Sequence, residues 1–175
     1  MKSSVVTPRA AGRAGTLAPA TAGRKRPASE WTKADQAERL YYTSVLERVS
    51  LVKAGVPASY VKVLSTRMNM PMEQFYRTLG LARPTVDRKV RQSKRLNPDE
   101  SERVLGIARL VGQAHSLVKE SGDAAAFDAA TWVTGWLERP LPALGGRAPG
   151  EFMDTADGRL LVADLLSQEQ SGAYA

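Results

Sequence analysis

The sequence predicts an all-α fold. Apolar residues recur every three or four positions along most of the chain, and no segment sustains the alternation of a strand. Proline, glycine and Asn/Ser/Asp positions cut the chain into helix-length pieces. Residues 1–30 are expected to be a basic arm, 31–96 a first helical unit and 97–175 a second. At 175 residues and 43% hydrophobic content, the chain can build one ordinary core or two small ones.

The arm is rich in Gly, Pro, Ala and Arg, lacks periodicity and has no apolar face to bury, so disorder is expected there. It lacks the continuous apolar region of a secretory signal, and its prolines and glycines make a poor transit helix. "GRKRP" reads equally as an import signal, a phosphate-contacting cluster or a bare basic patch. From Trp31 the pattern changes. Tyr41, Val45, Val49 and Val52 recur at helical spacing until Gly55 and Pro57 end the run. Val61, Leu64 and Met68 then share one face, as do Met72, Phe75 and Leu79, with Asn69 expected to cap and Pro71 tolerated in the first turn. After Gly80, Pro84 sets φ near a helix start, and Val86 and Val90 point inward as an i,i+4 pair.

"LNPDESERVL" opens a longer helix. Asn97 is expected to cap, Pro98 to take the first helical position and Glu100, three residues after the cap, to complete a capping box. Val104, Ile107, Val111, Ala114 and Val118 form its stripe up to "ESGD". A further helix is expected over Ala124–Glu138, with Phe127, Ala130, Val133 and Leu137 inward, Trp136 in the core and Trp132 either core or partner anchor. Pro140 and Pro142 stop it. Gly145 and Gly146 then turn the chain, Pro149 opens a short helix, and Asp154, Thr155 and Asp157 cap a last helix carrying Leu161, Val162, Leu165 and Leu166.

Enzyme chemistry finds little footing. "LGGRAPGEF" lacks the preceding strand and the GK[ST] ending of a phosphate loop. Glu151, Asp154 and Asp157 do not follow the alternating ligand positions of a calcium loop. There is no cysteine, so disulfides, thiolate metal sites and a cysteine nucleophile are excluded, and a reducing cytoplasm suits the chain. His115 is the only histidine and is expected to be structural or interfacial. No catalytic residue, metal site or cofactor is expected. No run approaches the roughly eighteen apolar residues of a membrane span.

The formal net charge of +7 is unevenly spread: Lys2, Arg9, Arg13, Arg24, Lys25 and Arg26 against Glu30 place +5 of it in residues 1–30. The other concentration marks a candidate DNA reader. Two short helices near Pro71–Thr78 and Arg83–Gln92 flank a glycine, as in a helix-turn-helix. With Val86 and Val90 inward, Arg83, Thr85, Asp87, Arg88 and Arg91 are expected outward to meet bases, and Lys89, Lys94 and Arg95 to meet phosphates. Asp87 repels phosphate unless it sits at the helix N-terminus or accepts from cytosine N4. Such proteins usually dimerise to match two half-sites, so a homodimer is expected.

From residue 42 onward the chain resembles the Xre/MbcA/ParS family of antitoxins, partners of RES-domain toxins in bacterial type II toxin–antitoxin pairs. "LGLARPTVDRK" is similar to the family's helix-turn-helix segment, and "LNPDESERVLGIARLVGQA" to the start of its C-terminal toxin-binding domain. In "WLERPLPALGGRAPGEFMDTADGRLLVADLL", Trp136, Leu137, Pro140, Leu144, Gly145, Gly146, Pro149, Thr155 and Gly158 fall at the family's motif positions. The basic extension and Pro84 depart from the common pattern.

The resemblance implies an Xre-like helix-turn-helix domain followed by a small helical toxin-binding domain. It implies two partners, a cognate RES-domain toxin that degrades NAD+ and the chain's own operator DNA, within a larger toxin–antitoxin complex. The expected toxin-binding residues are Trp132, Arg147, Gly172, Ala173, Tyr174 and Ala175, the last few occluding the toxin's active-site region. A stand-alone transcription regulator without a toxin, and an interaction protein whose helix-turn-helix no longer binds DNA, are the rival readings.

Overall fold

The computed structural model describes residues 26–33, 35–120 and 127–170. Their regular elements are helical: α1 (Gln36–Tyr42), α2 (Val45–Ala54), α3 (Tyr60–Arg67), α4 (Met72–Thr78), α5 (Arg83–Arg91), α6 (Pro98–Glu120), α7 (Ala129–Glu138) and α8 (Ala156–Gln170), with short 3-10 turns between some of them. The fold is all-α, an N-terminal helix-turn-helix unit followed by a smaller helical one.

Helix α6 is the spine, and α1, α2, α7 and α8 all pack on it. Its capping box forms as the sequence predicts: Asn97 Oδ1 accepts from the Glu100 N–H at 2.8 Å, and Glu100 Oε2 accepts from the Asn97 N–H at 2.9 Å. The predicted stripe is inward, with Val104, Ile107, Val111 and Ala114 buried. The backbone of α1 crosses so closely that a Cβ on Gly112 would lie 2.1 Å from the Ala37 carbonyl oxygen. Only a hydrogen fits there. Gln113 Nε2 donates to the Ala163 carbonyl at 2.8 Å and to Ser167 Oγ at 2.7 Å, which latches α8 to α6.

Several boundaries differ from the sequence reading. The single helix expected around Tyr41–Val52 is two. Thr43 Oγ1 donates back to the Arg39 carbonyl at 2.7 Å and the chain turns extended, after which Ser44 accepts from the Glu47 N–H and starts α2. That turn rotates the stripe: Leu40 and Leu51 are buried, whereas Val45 (67% exposed) and Val49 (43%) face out beside Leu46. Asn69 is not a cap. It takes a left-handed φ of 49° just past α3, and Pro71 precedes α4. Helix α7 begins at Ala129 because Asp128 accepts from the Ala130 and Thr131 N–H groups at 3.1 and 3.2 Å; residues 124–126 lie outside the described residues.

Ordered packing also starts upstream of Trp31. A 3-10 turn over Ala28–Thr32 buries Trp31, which meets Tyr60 edge-on at 5.1 Å between ring centroids. At the other end, "LGGRAPGEF" is a corner. The Gly146 N–H donates to the Leu141 carbonyl, and Gly145 and Gly146 sit at φ 63° and 82°, values that favour glycine. Pro149 opens the 3-10 turn Pro149–Phe152, and Thr155 alone of the three expected capping residues accepts a bond from α8, the Gly158 N–H at 3.1 Å.

Candidate nucleic-acid interface and partner surface

Helices α4 and α5 stand in helix-turn-helix arrangement around Gly80. Phe75, Leu79 and Val86 are fully buried and Val90 is half-buried against them, so the opposite face of α5 is outward. Arg83, Arg88 and Arg91 are exposed there, and Thr85 is half-exposed near the helix start. Arg83 is held by Glu73 at 3.0 Å and Asp87 at 3.5 Å. Among the described residues, Arg88, Arg91 and Lys94 make no ion pair.

Asp87 has its partners inside the motif. Its Oδ1 accepts the Tyr76 hydroxyl at 2.6 Å, in addition to the Arg83 contact. Burial, then the hydrogen bond to Asp87, push the Tyr76 hydroxyl well above its ordinary pKa, so it remains a donor. The carboxylate flagged as a repulsive element is thus tied to α4. Two expected phosphate ligands are also engaged within the fold. Lys89 pairs with Glu100, the two side chains only 17% and 10% exposed. Arg95 donates to the Arg26 carbonyl at 2.8 Å and to the Gly55 carbonyl. The outward set is therefore Arg83, Thr85, Arg88, Arg91 and Lys94.

Two contacts fix this motif on the spine. The Arg103 guanidinium, from α6, donates to the carbonyls of Leu79 and Gly80 at 3.1 and 2.9 Å. The Lys89–Glu100 pair joins α5 to the first turn of α6. Sequence reasoning missed Tyr76 and Arg103. Neither has a local signal, because each acts on a residue more than ten positions away.

The second surface lies on α7 and α8. Trp136 is core at 3% exposed, whereas Trp132 is 39% exposed and stacks on it with 6.2 Å between ring centroids and 12° between planes. Leu117, Phe127, Trp132, Leu166 and Glu169 border a shallow hollow of about 230 Å³. Glu169 also pairs with Arg139 at 2.7 Å. Helix α8 is described to Gln170; Gly172, Ala173, Tyr174 and Ala175 lie outside the described residues.

Arg147 is on the corner, its guanidinium 4.4 Å above the Phe152 ring and 3.0 Å from Glu151. The Ala148 N–H, then Arg147, hold the Glu151 carboxyl below its usual range. His115 lies 3.7 Å from Glu38, half-exposed beside a 460 Å³ cleft between α1 and α7. Among the described residues no group of His, Asp and Glu could hold a metal ion, and no helix is long and apolar enough to cross a membrane.

Comparison with known proteins coincides with this division. The antitoxin Xre-like helix-turn-helix domain matches residues 47–109, and the antitoxin Xre/MbcA/ParS C-terminal toxin-binding domain matches residues 123–172. A Sphingobium sp. protein named Prs ADP-ribosylating antitoxin is 41% identical over 136 residues, 78% of this chain and 86% of that one. Antitoxin Xre of Yersinia enterocolitica is 26% identical over 126 residues, 72% and 80% of the two chains. Antitoxin Xre of Photorhabdus laumondii is 24% identical over 123 residues, 70% and 78% of the two. With a DNA-reading motif locked to its spine and an aromatic surface on its second unit, the chain belongs to the Xre/MbcA/ParS-type antitoxins, non-catalytic binding regulators in which an Xre-like helix-turn-helix precedes a C-terminal toxin-binding domain.

Proposed function

We propose that this chain neutralises a cognate RES-domain toxin that consumes NAD+, and represses its own operon by binding operator DNA as a homodimer in the cytoplasm. The observation that carries the toxin half is an exposed aromatic beside the last turn of α8. Trp132 borders a hollow that Glu169 also lines, and residues 171–175 follow α8 in the sequence. A half-exposed tryptophan backed by a buried one is a rigid anchor that loses little entropy on docking. Once it is seated, Gly172, Ala173, Tyr174 and Ala175 need only a few residues of reach to enter a pocket on the bound toxin. Arg147, exposed on the corner that follows α7 in the chain, supplies a further polar contact. Inhibition by occlusion requires no catalytic group on the antitoxin.

The operator half rests on Arg88 and Arg91, outward on α5 and without competing carboxylates among the described residues, with Arg83 and Thr85 at the helix start where base edges are met.

A second reading of the toxin's chemistry comes from the Sphingobium relative, whose name ties it to ADP-ribosylation of Prs. Hydrolysis of NAD+ and ADP-ribosylation both break the bond between nicotinamide and ribose; they differ in whether water or a protein accepts the ADP-ribose. Co-expression with the adjacent reading frame tests the proposal. A stable complex should purify, and cellular NAD+ should fall when the neighbouring frame is expressed alone and be preserved when both chains are made. Free ADP-ribose on antitoxin depletion indicates hydrolysis, and an ADP-ribosylated protein indicates transfer. An NAD+ level indifferent to this chain would refute the toxin half and leave the stand-alone regulator.

A further inference from the structure

We propose that the open groove between α2, α6 and α8 is the surface on which two copies of this chain pair, with α2 of each copy lying against α8 of the other. The pairing rests on the homodimer reading and adds to it where the two copies meet.

The groove encloses about 540 Å³ beside α6. Leu105 and Leu110 line its α6 side, Val45 and Val49 its α2 side, and Leu160 its α8 side. Val45, Val49 and Leu160 are exposed, and exposed Leu46 and Leu161 extend the same two helices. Among the described residues, these side chains are most of the large apolar groups left in solvent, and an apolar patch with a charged rim marks an interaction surface. Gly106 shapes the groove: a Cβ there would stand 2.5 Å from Arg159 Cδ, so its absence lets Arg159 lie across α6 and reach Glu102 at 3.1 Å.

The charges say what covers it. Arg48, Lys53 and Arg109 line the α2–α6 side, and the carboxylate in that lining, Glu102, is already paired with Arg159. Among the described residues, Arg48, Lys53 and Arg109 make no ion pair. The Arg109 Nε is buried without a hydrogen-bond partner, and burial, then the charge of Arg48, lower the guanidinium's pKa. Helix α8 is the reverse. Asp157, Leu160, Leu161 and Asp164 recur at three- and four-residue spacing and are exposed, so they share its outward face, and among the described residues both aspartates are unpaired. One surface thus holds an unpaired cationic half and an unpaired anionic half about an apolar centre. A two-fold interface brings the same patch to both sides, each half meeting the other half of its partner. A second copy turned by that axis sets Asp157 and Asp164 of each copy toward Arg48, Lys53 and Arg109 of the other. Pro98, Glu102, Leu105 and Arg109 share one face of α6, whereas Glu100, which holds Lys89 of α5, projects from the opposite face. Pairing therefore leaves the α5 attachment on the far side of α6. Among the described residues, the hollow beside Trp132 and this groove have no lining residue in common.

The experiment is a charge exchange in the full chain, read by sedimentation equilibrium. One variant, Arg48→Glu/Lys53→Glu, makes both halves of the surface acidic; the other, Asp157→Lys/Asp164→Lys, makes both basic. Like charges then face each other in either homodimer, and its dissociation constant should rise about a hundredfold or more over that of the full chain. Mixed in equal amounts, the two variants again oppose acid to base at both contacts, so a mixed dimer should form and recover most of the loss, which a misfolded variant could not do. Each variant should still capture toxin. Variants that dimerise as tightly as the full chain, or a mixture no more associated than its components, would overturn the pairing surface and leave the homodimer reading standing. Variants that stay dimeric but lose toxin capture would overturn it too, assigning the groove to the toxin. A full chain that is monomeric where it saturates its operator would remove the homodimer reading and this surface with it.

Discussion

Arg88 and Arg91 are the residues on which DNA binding should turn. They project from the face of α5 opposite buried Val86, whereas Lys89 and Arg95 are committed to Glu100 and to backbone carbonyls. Replacing either Arg88 or Arg91 by Gln should weaken operator binding and lower the salt slope by about 1 if its contact is to phosphate, or cost about 1–3 kcal/mol of discrimination at one base pair if it reads guanine. Toxin capture should be unaffected, and titrating labelled operator and toxin separately checks both. The sequence showed six cations between Leu81 and Arg95 but not which were spoken for. Local spacing separates inward from outward along one helix; it carries no information on Glu100 or Arg26, which approach α5 from other elements. Asp87 is the same case, held by Tyr76 from α4 and paired with Arg83.

At the scale of elements, helix joints decide stability. Gly112 lets α1 lie against α6, and alanine there would press a methyl into the Ala37 carbonyl. Gly112→Ala should lower unfolding free energy by about 1–3 kcal/mol, read from denaturant melts. Gly135 is the internal control. It sits on the exposed face of α7, a Cβ there meets nothing within 4 Å, and Gly135→Ala should stabilise by roughly 0.5–1 kcal/mol.

The start of α7 carries a pH dependence. The Thr131 hydroxyl, followed by the Thr131 and Ala130 N–H groups, holds the Asp128 carboxyl below its ordinary value of 3.8. A lowered folded value means the cap's contribution is complete above 3.8 and disappears as pH falls through the lower folded value. Asp128→Asn keeps a cap without the charge, so its melting temperature should fall less steeply over that acid range. Capping was legible wherever cap and helix are neighbours, as at Asn97–Glu100. The break at Thr43–Ser44 was not: apolar spacing runs across it, and what breaks it is a threonine bonding back to Arg39.

Over the whole molecule, α6 joins the two functions. Its first two turns hold α5 through Glu100 and Lys89 and the turn at Gly80 through Arg103, and α7 and α8 also pack on it. The all-α order of a helix-turn-helix unit followed by further helices was readable from caps and stripes. The exposure of Val45, Leu46 and Val49 was not, since an apolar stripe reads the same whether or not a neighbouring helix covers it. Gly172, Ala173, Tyr174 and Ala175 lie outside the described residues.

The most direct measurement is therefore NAD+ consumption by the cognate toxin, titrated with the full chain and with a chain lacking residues 170–175. The full chain should abolish consumption near stoichiometric ratio, while the shortened chain should still bind through the Trp132 surface and leave much of the activity running. Equal suppression by both chains at equal concentration would contradict the account.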